Sequence, residues 1–252
     1  MNSSLAGRPI HAPRLADVVA DRIRELIVTG ELADGERLPR IEDLQEDFGV
    51  SGPSMREALR MLESDGLISV QRGSVGGAVV HRPTEQTAAY TLALVLRSRG
   101  TSFGDVAEAM AFLDPACATL CARRPDRDVI AGDLRKINMA AAELLDRDEA
   151  AFAEAMTSFH DMIGRNCGNE TLRLLAGAVK SIWSSSGARG ACCRGWEEKL
   201  TALGAHERVA DLIEAGDDLQ VAQVMGGHID MKQALGTSDP VGLIDARAVR
   251  QR

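Results

Sequence analysis

The stretch "FGVSGPSMREALRMLESDGLI", residues 48–68, decides the fold of the N-terminal part of the chain. Its apolar residues recur at the i, i+3, i+4, i+7 spacing of one helix face, at Met55, Ala58, Leu59 and Leu62. Gly49 ends a short helix just before this one, and Gly66 ends the helix itself. Two helices joined by so tight a turn are typical of a helix-turn-helix.

The flanking segments complete a winged helix-turn-helix. Upstream, apolar residues at helical spacing predict a helix from Leu15 to Thr29, and the turn-rich "LADGERLP" leads to a short helix near residues 40–47. Downstream, the β-rich runs "LISVQRG" and "GGAVVHRP" are joined by a Gly/Ser turn, which predicts a β-hairpin. We place this domain at 13–82; the alternative from the pattern alone is a small α+β domain with no role in DNA binding.

The rest of the chain is predicted to be an all-α bundle. From Thr84 to about Leu235 the periodicity is helical, and six loop-like stretches interrupt it: "SRGTS", "RRPDRD", "LDRDE", "RNCGNE", "SSSGARG" and "EAGDD". This pattern indicates six or seven antiparallel helices over 84–235, so the chain as a whole is mainly α. Residues 1–12 and 236–252 are expected to be flexible.

Composition narrows the class of protein. Of the 252 residues, 45% are hydrophobic but only 3% are aromatic, so the core is built from aliphatic residues and favours helices. A net charge of −8 argues against bulk electrostatic binding to nucleic acid, although 48–82 carries four arginines against three carboxylates. The chain has no apolar run of membrane-spanning length and no secretory signal, so we expect a cytoplasmic protein that does not bind membranes.

The cysteines predict buried, reduced thiols. The five residues, Cys117, Cys121, Cys167, Cys192 and Cys193, form no CxxC pair. The less favoured alternative is a redox role for Cys117 and Cys121, which share a helix face, or for the vicinal pair.

The sequence resembles a known family. The text "GELADGERLPRIEDLQEDFGVSGPSMREALRMLESDGLISVQRG", with the wing "GGAVV", resembles the DNA-binding domain of the GntR family of bacterial transcriptional regulators. The helical remainder is similar to the FCD-type ligand-binding domain of the FadR subfamily, on "FH" at 159–160, "GN" at 168–169 and spaced histidines near the end. The resemblance implies a homodimer that binds a palindromic double-stranded DNA operator and releases or reshapes it when a small molecule occupies the bundle.

The start of the quoted helix is the expected DNA-reading surface. Short residues permit a close approach to the major groove, and arginines donate to bases or phosphates. Ser51 is placed to cap the helix and Pro53 falls in its first turn, so neither Gly52 nor Pro53 breaks it. The predicted DNA-binding residues are Arg40, Ser51, Gly52, Pro53, Ser54, Arg56, Arg60, Arg72 and Gly73.

The chain departs from the family pattern at the reading positions. Arg56 matches one of three arginines that contact DNA in the family, whereas Glu42 and Gly52 stand at the other two positions. We therefore expect an unusual operator, with Arg40 and Arg60 as partial compensation. In the wing "QRGSVGG", Arg72 matches a position that reaches the minor groove; the alternative is a solvated charge at the wing tip.

Three histidines lie on predicted inward helix faces. His206 precedes the turn "AGDD" by about ten residues and His228 follows it by about ten, and equal distances from the turn of a helical hairpin place both at one height. His160 borders the apolar residues of 152–163. One buried histidine is more often an ordinary core residue, but three together favour a shared polar site.

The resemblance adds a metal to this site. In many FadR-subfamily domains the positions of His160, His206 and His228 bind a divalent metal together with an aspartate four residues before the first. Here that position is Met156, whose thioether is a poor ligand for Zn, Ni or Mn. Two interpretations stay open: three histidines hold the metal with water or effector completing the shell, or the imidazoles bind an anion without metal. Asp161 is expected to point about 100° away from His160.

The effector is expected to be a small organic molecule of carboxylate or acyl type. Asp114-Pro115 matches an acidic-Pro step of the family, but the arginine that usually precedes it is absent from "EAMAFLDP". That absence favours an acyl or acyl-CoA type of ligand over a simple carboxylate. The predicted effector-binding residues are Asp114, Met156, His160, His206 and His228.

These features together predict a dimeric, ligand-responsive transcriptional repressor. One alternative is a constitutive regulator whose pocket is vestigial. A metalloenzyme built on the three histidines is disfavoured, because the chain has no HExxH motif and no nucleophile paired with a base.

Overall fold

The computed structural model describes residues 14–71, 77–185 and 195–228. The chain divides into two compact units, Met1–Thr84 and Glu85–Arg252. The segments predicted to be flexible, 1–12 and 236–252, lie outside the described residues, as do the wing residues Arg72 and Gly73 and the vicinal cysteines at 192–193.

The N-terminal unit is a winged helix-turn-helix, as predicted. Its elements are α1 (Leu15–Thr29), α2 (Ile41–Phe48), α3 (Gly52–Ser64), β1 (Ile68–Gln71) and β2 (Gly77–Val80). The two strands pair antiparallel, from Ile68 opposite Val80 to Gln71 opposite Gly77. Gly49 and Gly66 follow α2 and α3 with φ of 63° and 74°, left-handed values that glycine adopts without steric cost.

The predicted apolar face of α3 forms the core of this unit. Met55, Ala58 and Leu62 are fully buried, whereas Leu59 is only partly buried. They pack with the buried face of α1, including Ile23 and Ile27. The opposite face of α3 is thereby left to solvent, which is what a DNA-reading helix needs.

The second unit is an all-α bundle. Its described helices are α4 (Glu85–Ser98), α5 (Phe103–Ala122), α6 (Arg127–Leu144), α7 (Glu149–Asn166), α8 (Glu170–Ser185), α9 (Trp196–Ala215) and α10 (Asp218–His228). Five of the six predicted loops fall between two consecutive described helices, and most of the sixth, "SSSGARG", lies outside the described residues. The prediction of an all-α bundle is confirmed.

The main core of the bundle lies among α5, α6, α7, α9 and α10. Leu134, Phe159, Ile163, Ile213 and Met225 are buried there. Over 14–71, 77–185 and 195–228, every helix is too short or too polar to cross a membrane.

Candidate functional site

The first turn of α3 accommodates both Gly52 and Pro53, as predicted. The helix begins at Gly52, and Pro53 occupies its first turn. The predicted side-chain cap by Ser51 is wrong, because its hydroxyl makes no capping bond and lies 3.0 Å from Ser54 Oγ instead. Pro53 accounts for part of this change, since it removes one of the backbone N–H groups that a capping hydroxyl could accept from.

Two side chains converge on Gly52. A Cβ atom at this position would lie 3.1 Å from Gln45 Oε1 and 3.2 Å from Arg56 Nη1. Gln45 Nε2 donates to the Ile41 carbonyl at 3.0 Å, on the preceding helix α2. Gln45 was not among the predicted DNA-binding residues; its only sequence signal is a polar side chain near the end of the helix before the reader.

The arginines predicted to bind DNA differ in their ion pairs and in their positions on the helices. Arg60 Nη1 pairs with Glu57 Oε2 at 2.8 Å, whereas Arg56 makes no ion pair with any described residue. Arg40 is exposed and occupies the N-cap position of α2. An exposed pair such as Arg60–Glu57 contributes little and is readily exchanged for a phosphate contact.

The base of the wing is tied to α3 and β1 by polar contacts. Glu63 Oε1 accepts from the Val70 backbone N–H at 3.2 Å. Ser69 Oγ lies 2.8 Å from His81 Nε2. These contacts hold the start of the hairpin. The predicted DNA-binding residues Arg72 and Gly73 lie outside the described residues and stay predictions.

Inside the bundle, Asp114 is the centre of a buried polar cluster. It is 1% exposed on α5, and its Oδ2 lies 2.8 Å from His160 Nδ1 on α7. Its Oδ1 lies 3.3 Å from Lys180 Nζ on α8. Burial acts to raise the pKa of Asp114, but the positive charge of Lys180 and the His160 hydrogen bond outweigh it, so the pKa lies below its usual value.

Lys180 is a site residue that the sequence reasoning missed. Its side chain is 7% exposed, and Nζ also lies 3.8 Å from Asp161 Oδ1. Asp161, which was expected to point away from His160, is thus the second carboxylate near this ammonium. The sequence did contain a signal for it, namely a lysine within the apolar run "LLAGAVKSIW". Burying an unpaired charge is costly, so a lysine in such a run indicates a buried partner of opposite charge.

Two of the three predicted histidines meet. His206 on α9 is fully buried and stacks on Phe159, with ring centroids 3.8 Å apart and planes 6° apart. The centroids of His160 and His206 are 5.2 Å apart, at an interplanar angle of 73°. His228 ends α10, and its side chain lies outside the described part of the structure, so its convergence stays a prediction.

Met156 belongs to an apolar neighbourhood. It packs against the cluster that contains Phe152 and Leu203. This packing accounts for a thioether at that position without a metal. Its predicted role in effector binding stays a prediction.

Two of the three predicted metal ligands, His160 and His206, have described side chains. The Asp114 contact engages His160 at Nδ1, so Nε2 is the ring nitrogen that a metal would use. Among the residues that the structure describes, however, no three His, Cys, Asp or Glu side chains lie together as a metal site would need. A metal here would need a donor beyond the described side chains, and His228 is the predicted one.

The three described cysteines are free and buried, as predicted. Burial raises the pKa of Cys117 and of Cys121 to about 12 each. Because the thiolate is the reactive form, such thiols are poor redox sensors.

Both units match known families. Residues 15–79 match the family described as "Bacterial regulatory proteins, gntR family". Residues 105–231 match the FCD domain.

Individual relatives agree with these assignments. The chain is 30% identical over 224 residues to the putative L-lactate dehydrogenase operon regulatory protein of Escherichia coli, covering 86% of this chain and 84% of that protein. It is 23% identical over 234 residues to the HTH-type transcriptional repressor NanR of Enterobacter, covering 92% and 88% respectively.

A solved structure supports the fold. The Streptococcus agalactiae GntR structure aligns with a TM-score of 0.66 at 23% identity, covering 86% of this chain and 98% of that one. The relatives are transcriptional regulators and not enzymes. The chain therefore belongs to the GntR family of bacterial regulatory proteins, with an FCD domain as its helical half.

Proposed function

We propose that the protein is a homodimeric repressor that leaves its operator when a small organic molecule binds in the helical bundle. The observation that supports this most is the buried cluster of an ammonium, a carboxylate and two imidazoles in a bundle of aliphatic residues. Burying such groups is costly unless they serve as partners for one another or for a ligand. We assign DNA binding to 13–82 and effector binding and dimerisation to 84–235.

The DNA half of the proposal rests on the exposed face of α3. Its N-terminus carries Ser51, Ser54 and Arg56, which pairs with no carboxylate of the described residues. Arg40 lies at the start of α2 and Arg60 one turn beyond Arg56. A two-fold dimer doubles each contact, so a half-site with few donors still yields usable affinity for a palindrome.

Dimerisation is what the family resemblance implies, and exposed apolar side chains of the bundle are candidates for the interface. Phe112, Met139 and Leu219 are 73%, 67% and 74% exposed. Side chains of this size are commonly covered in an interface. Light scattering on the full chain measures the dimer directly, and a monomer at micromolar concentration would contradict it.

The effector half concerns the Asp114 cluster, defined as Asp114, His160, Lys180 and His206. Lys180 and the imidazole of His206 supply donors for an anionic group, while Asp114 offsets the lysine charge so that the site is close to neutral. This arrangement suits a ligand with one carboxylate and further hydroxyl or acyl atoms. The relative named for an L-lactate dehydrogenase operon makes small hydroxy acids the first candidates.

Metal assistance depends on His228. If its imidazole joins His160 and His206, the three would hold a divalent ion such as Zn, Ni or Mn, and the ion would supply a further positive charge for an anionic effector. Elemental analysis of the purified protein and of the His206→Ala variant tests this. Equal metal content in the two proteins would contradict the site.

The central experiment has two stages. The full-length protein first selects binding sites from random DNA, and we expect one enriched palindrome. Small hydroxy acids and acyl-type ligands are then titrated against the complex with that operator. Release by one class supports the proposal. Selective DNA binding that no bound molecule or metal alters would favour a constitutive regulator with a vestigial pocket.

A further inference from the structure

The solvent-facing side of α4 carries no charge. Within α4, residues 86–96, "QTAAYTLALVL", include no acidic, basic or histidine side chain. In a chain of which 26% is charged, an exposed helix face of this length ordinarily carries charges that keep it in water. The exposed residues on this side, which we call the α4 face, are Thr87, Ala88, Thr91, Leu94, Val95 and Ser98.

The opposite side of α4 fixes the helix in the bundle. Ala89 and Ala93 are buried in the cluster that contains Ile182 of α8. At the first residue of α4, Glu85 pairs with Arg173 of α8. With this side committed to the bundle, the helix presents the α4 face outward.

Hydroxyl groups of the α4 face are turned back onto the helix. Thr91 Oγ1 donates to the Thr87 carbonyl at 3.1 Å, and Ser98 Oγ donates to the Val95 carbonyl at 2.7 Å. A hydroxyl that is satisfied within its own helix can leave water without losing a hydrogen bond. Leu94 and Val95 lie between these groups and are 40% and 43% exposed. Covering the α4 face therefore removes apolar surface from water and leaves neither of these donors unpaired.

The three most exposed large apolar side chains of the described bundle have charged neighbours instead. Phe112 lies one helical turn from Glu108, and Met139 lies one turn from Lys136. Leu219 directly follows an aspartate. At a two-fold axis each residue meets its own copy, so a charge there faces a like charge. The α4 face, which has none, fits the centre of a self-facing interface better than these three do.

We propose that the α4 face forms the centre of the homodimer interface and packs there against the same face of a second copy of this chain. The inference rests on the proposed homodimer and names the surface that makes it. Each chain carries a net charge of −8, so two copies repel unless they meet at a surface free of charge. The centres of protein interfaces are likewise depleted of charged residues. Thr91 lies at the middle of the face, so two-fold pairing brings it close to its own counterpart.

Pairing through α4 also suits the proposed operator. The chain divides between Thr84 and Glu85, so α4 is the first helix after the winged unit. A two-fold axis at α4 keeps the two connections to the winged units near that axis. A palindromic operator has the same two-fold symmetry.

The test places like and opposite charges at the middle of the α4 face. Thr91→Lys and Thr91→Glu are prepared in the full-length chain, and both new residues have a higher helix propensity than threonine. The matched controls are Thr201→Lys and Thr201→Glu. Thr201 is also exposed, and its hydroxyl donates to the Glu197 carbonyl of its own helix, α9, at 2.8 Å. Light scattering gives the mass, sedimentation equilibrium gives the dimer dissociation constant, and thermal melting reports the folding of each variant.

The wild-type protein should have twice the 26.9 kDa mass of one chain. Thr91→Lys and Thr91→Glu, measured separately, should each raise the dimer dissociation constant at least about thirtyfold, because the dimer then holds two like charges next to one another. An equimolar mixture of these two variants should recover the dimer, since lysine then faces glutamate. Both Thr201 variants should dimerise within about twofold of the wild type.

Three results would overturn this inference. A Thr91→Lys protein that dimerises like the wild type would place the interface elsewhere. An equal loss in the Thr201 variants would show that any added charge weakens the dimer. A mixture that stays monomeric, although both Thr91 variants melt like the wild type, would exclude the two-fold pairing at this face. A monomeric wild-type protein is a separate outcome, in which the proposed homodimer itself fails and this surface fails with it.

Discussion

His160 Nδ1 lies 2.8 Å from Asp114 Oδ2, and this contact joins α7 to α5 inside the bundle. A carboxylate on Nδ1 orients the imidazole ring and engages that nitrogen, so Nε2 is the nitrogen of His160 that a ligand would meet. The ring of His206 lies next to it, with centroids 5.2 Å apart. Asp114 is itself held by Lys180, so the orientation of the imidazole depends on a buried ion pair from a third helix.

The first prediction concerns that ion pair. Lys180→Met should lower the free energy of unfolding by about 3–5 kcal/mol, because Asp114 is left as a buried carboxylate without its cation. Urea denaturation measures the change. Lys136→Met, which breaks an ion pair with Asp133 in which the lysine is 77% exposed, is the control, and its loss should stay below about 1 kcal/mol. Equal losses in both variants would contradict a buried ion pair.

The second prediction concerns acid stability. The pKa of Asp114 in the folded protein lies below its unfolded value, so ionised Asp114 stabilises the fold. That contribution is complete above the unfolded pKa, near 4, and is lost as the pH falls from there through the folded pKa. Asp114→Asn should therefore show a shallower loss of unfolding free energy on acidification below about pH 4. Parallel curves for the two proteins would rule this out.

The third prediction separates packing from ligand binding at His206. His206→Phe keeps a flat ring stacked on Phe159, so we expect the unfolding free energy to change by less than about 1.5 kcal/mol. The variant loses both ring nitrogens, and the effector that releases wild-type protein from its operator should no longer release it. Anisotropy with effector titration measures this. A normal ligand response would place the effector elsewhere.

The fourth prediction concerns Arg56. Arg56→Ala should weaken operator binding by about 1–3 kcal/mol and relax the sequence requirement at one base pair per half-site. Gel-shift titration measures the affinity. Arg147→Ala, which removes an exposed arginine of the bundle, should leave affinity unchanged. An unaltered affinity in Arg56→Ala would exclude α3 as the reading helix in this orientation.

The fifth prediction concerns the cysteines. With a pKa of about 12, Cys117 and Cys121 are thiolates to only about one part in ten thousand at pH 8. We expect iodoacetamide to leave both unlabelled in the native protein and to label both in urea, as peptide mass spectrometry would show. Rapid native labelling of either residue would contradict its burial.

The sequence alone determined most of the fold, because the relevant information is local. The spacing of Met55, Ala58 and Leu62 predicted the buried face of α3, and Gly49 and Gly66 predicted where the turns fall. Periodicity and loop composition likewise predicted the helices of the bundle and their breaks. Each of these features depends on residues within a few turns of one another, so a linear pattern is enough.

The sequence predicted three histidines on inward helix faces, and the structure places the rings of two of them, His160 and His206, side by side. Equal distance from a turn applied to His206 and His228, and the pairing of those two stays a prediction. The sequence-based prediction missed Lys180, because a lysine is ordinarily exposed and only the packing of α8 beside α5 shows that this one faces Asp114. The predicted cap by Ser51 was wrong, because Ser51 Oγ contacts the hydroxyl of Ser54 and no backbone N–H of the first turn.

The tertiary structure decided what the side chains of distant residues do to one another. Gln45 and Arg56 lie on different helices, and only the angle of the helix-turn-helix brings both against Gly52. Asp114, His160 and Lys180 come from three helices, and their mutual distances set the charge of Asp114 and the orientation of the His160 ring. Periodicity assigns a residue to a helix face, but hydrogen bonds and ion pairs depend on distances of a few ångströms between faces, which only packing determines.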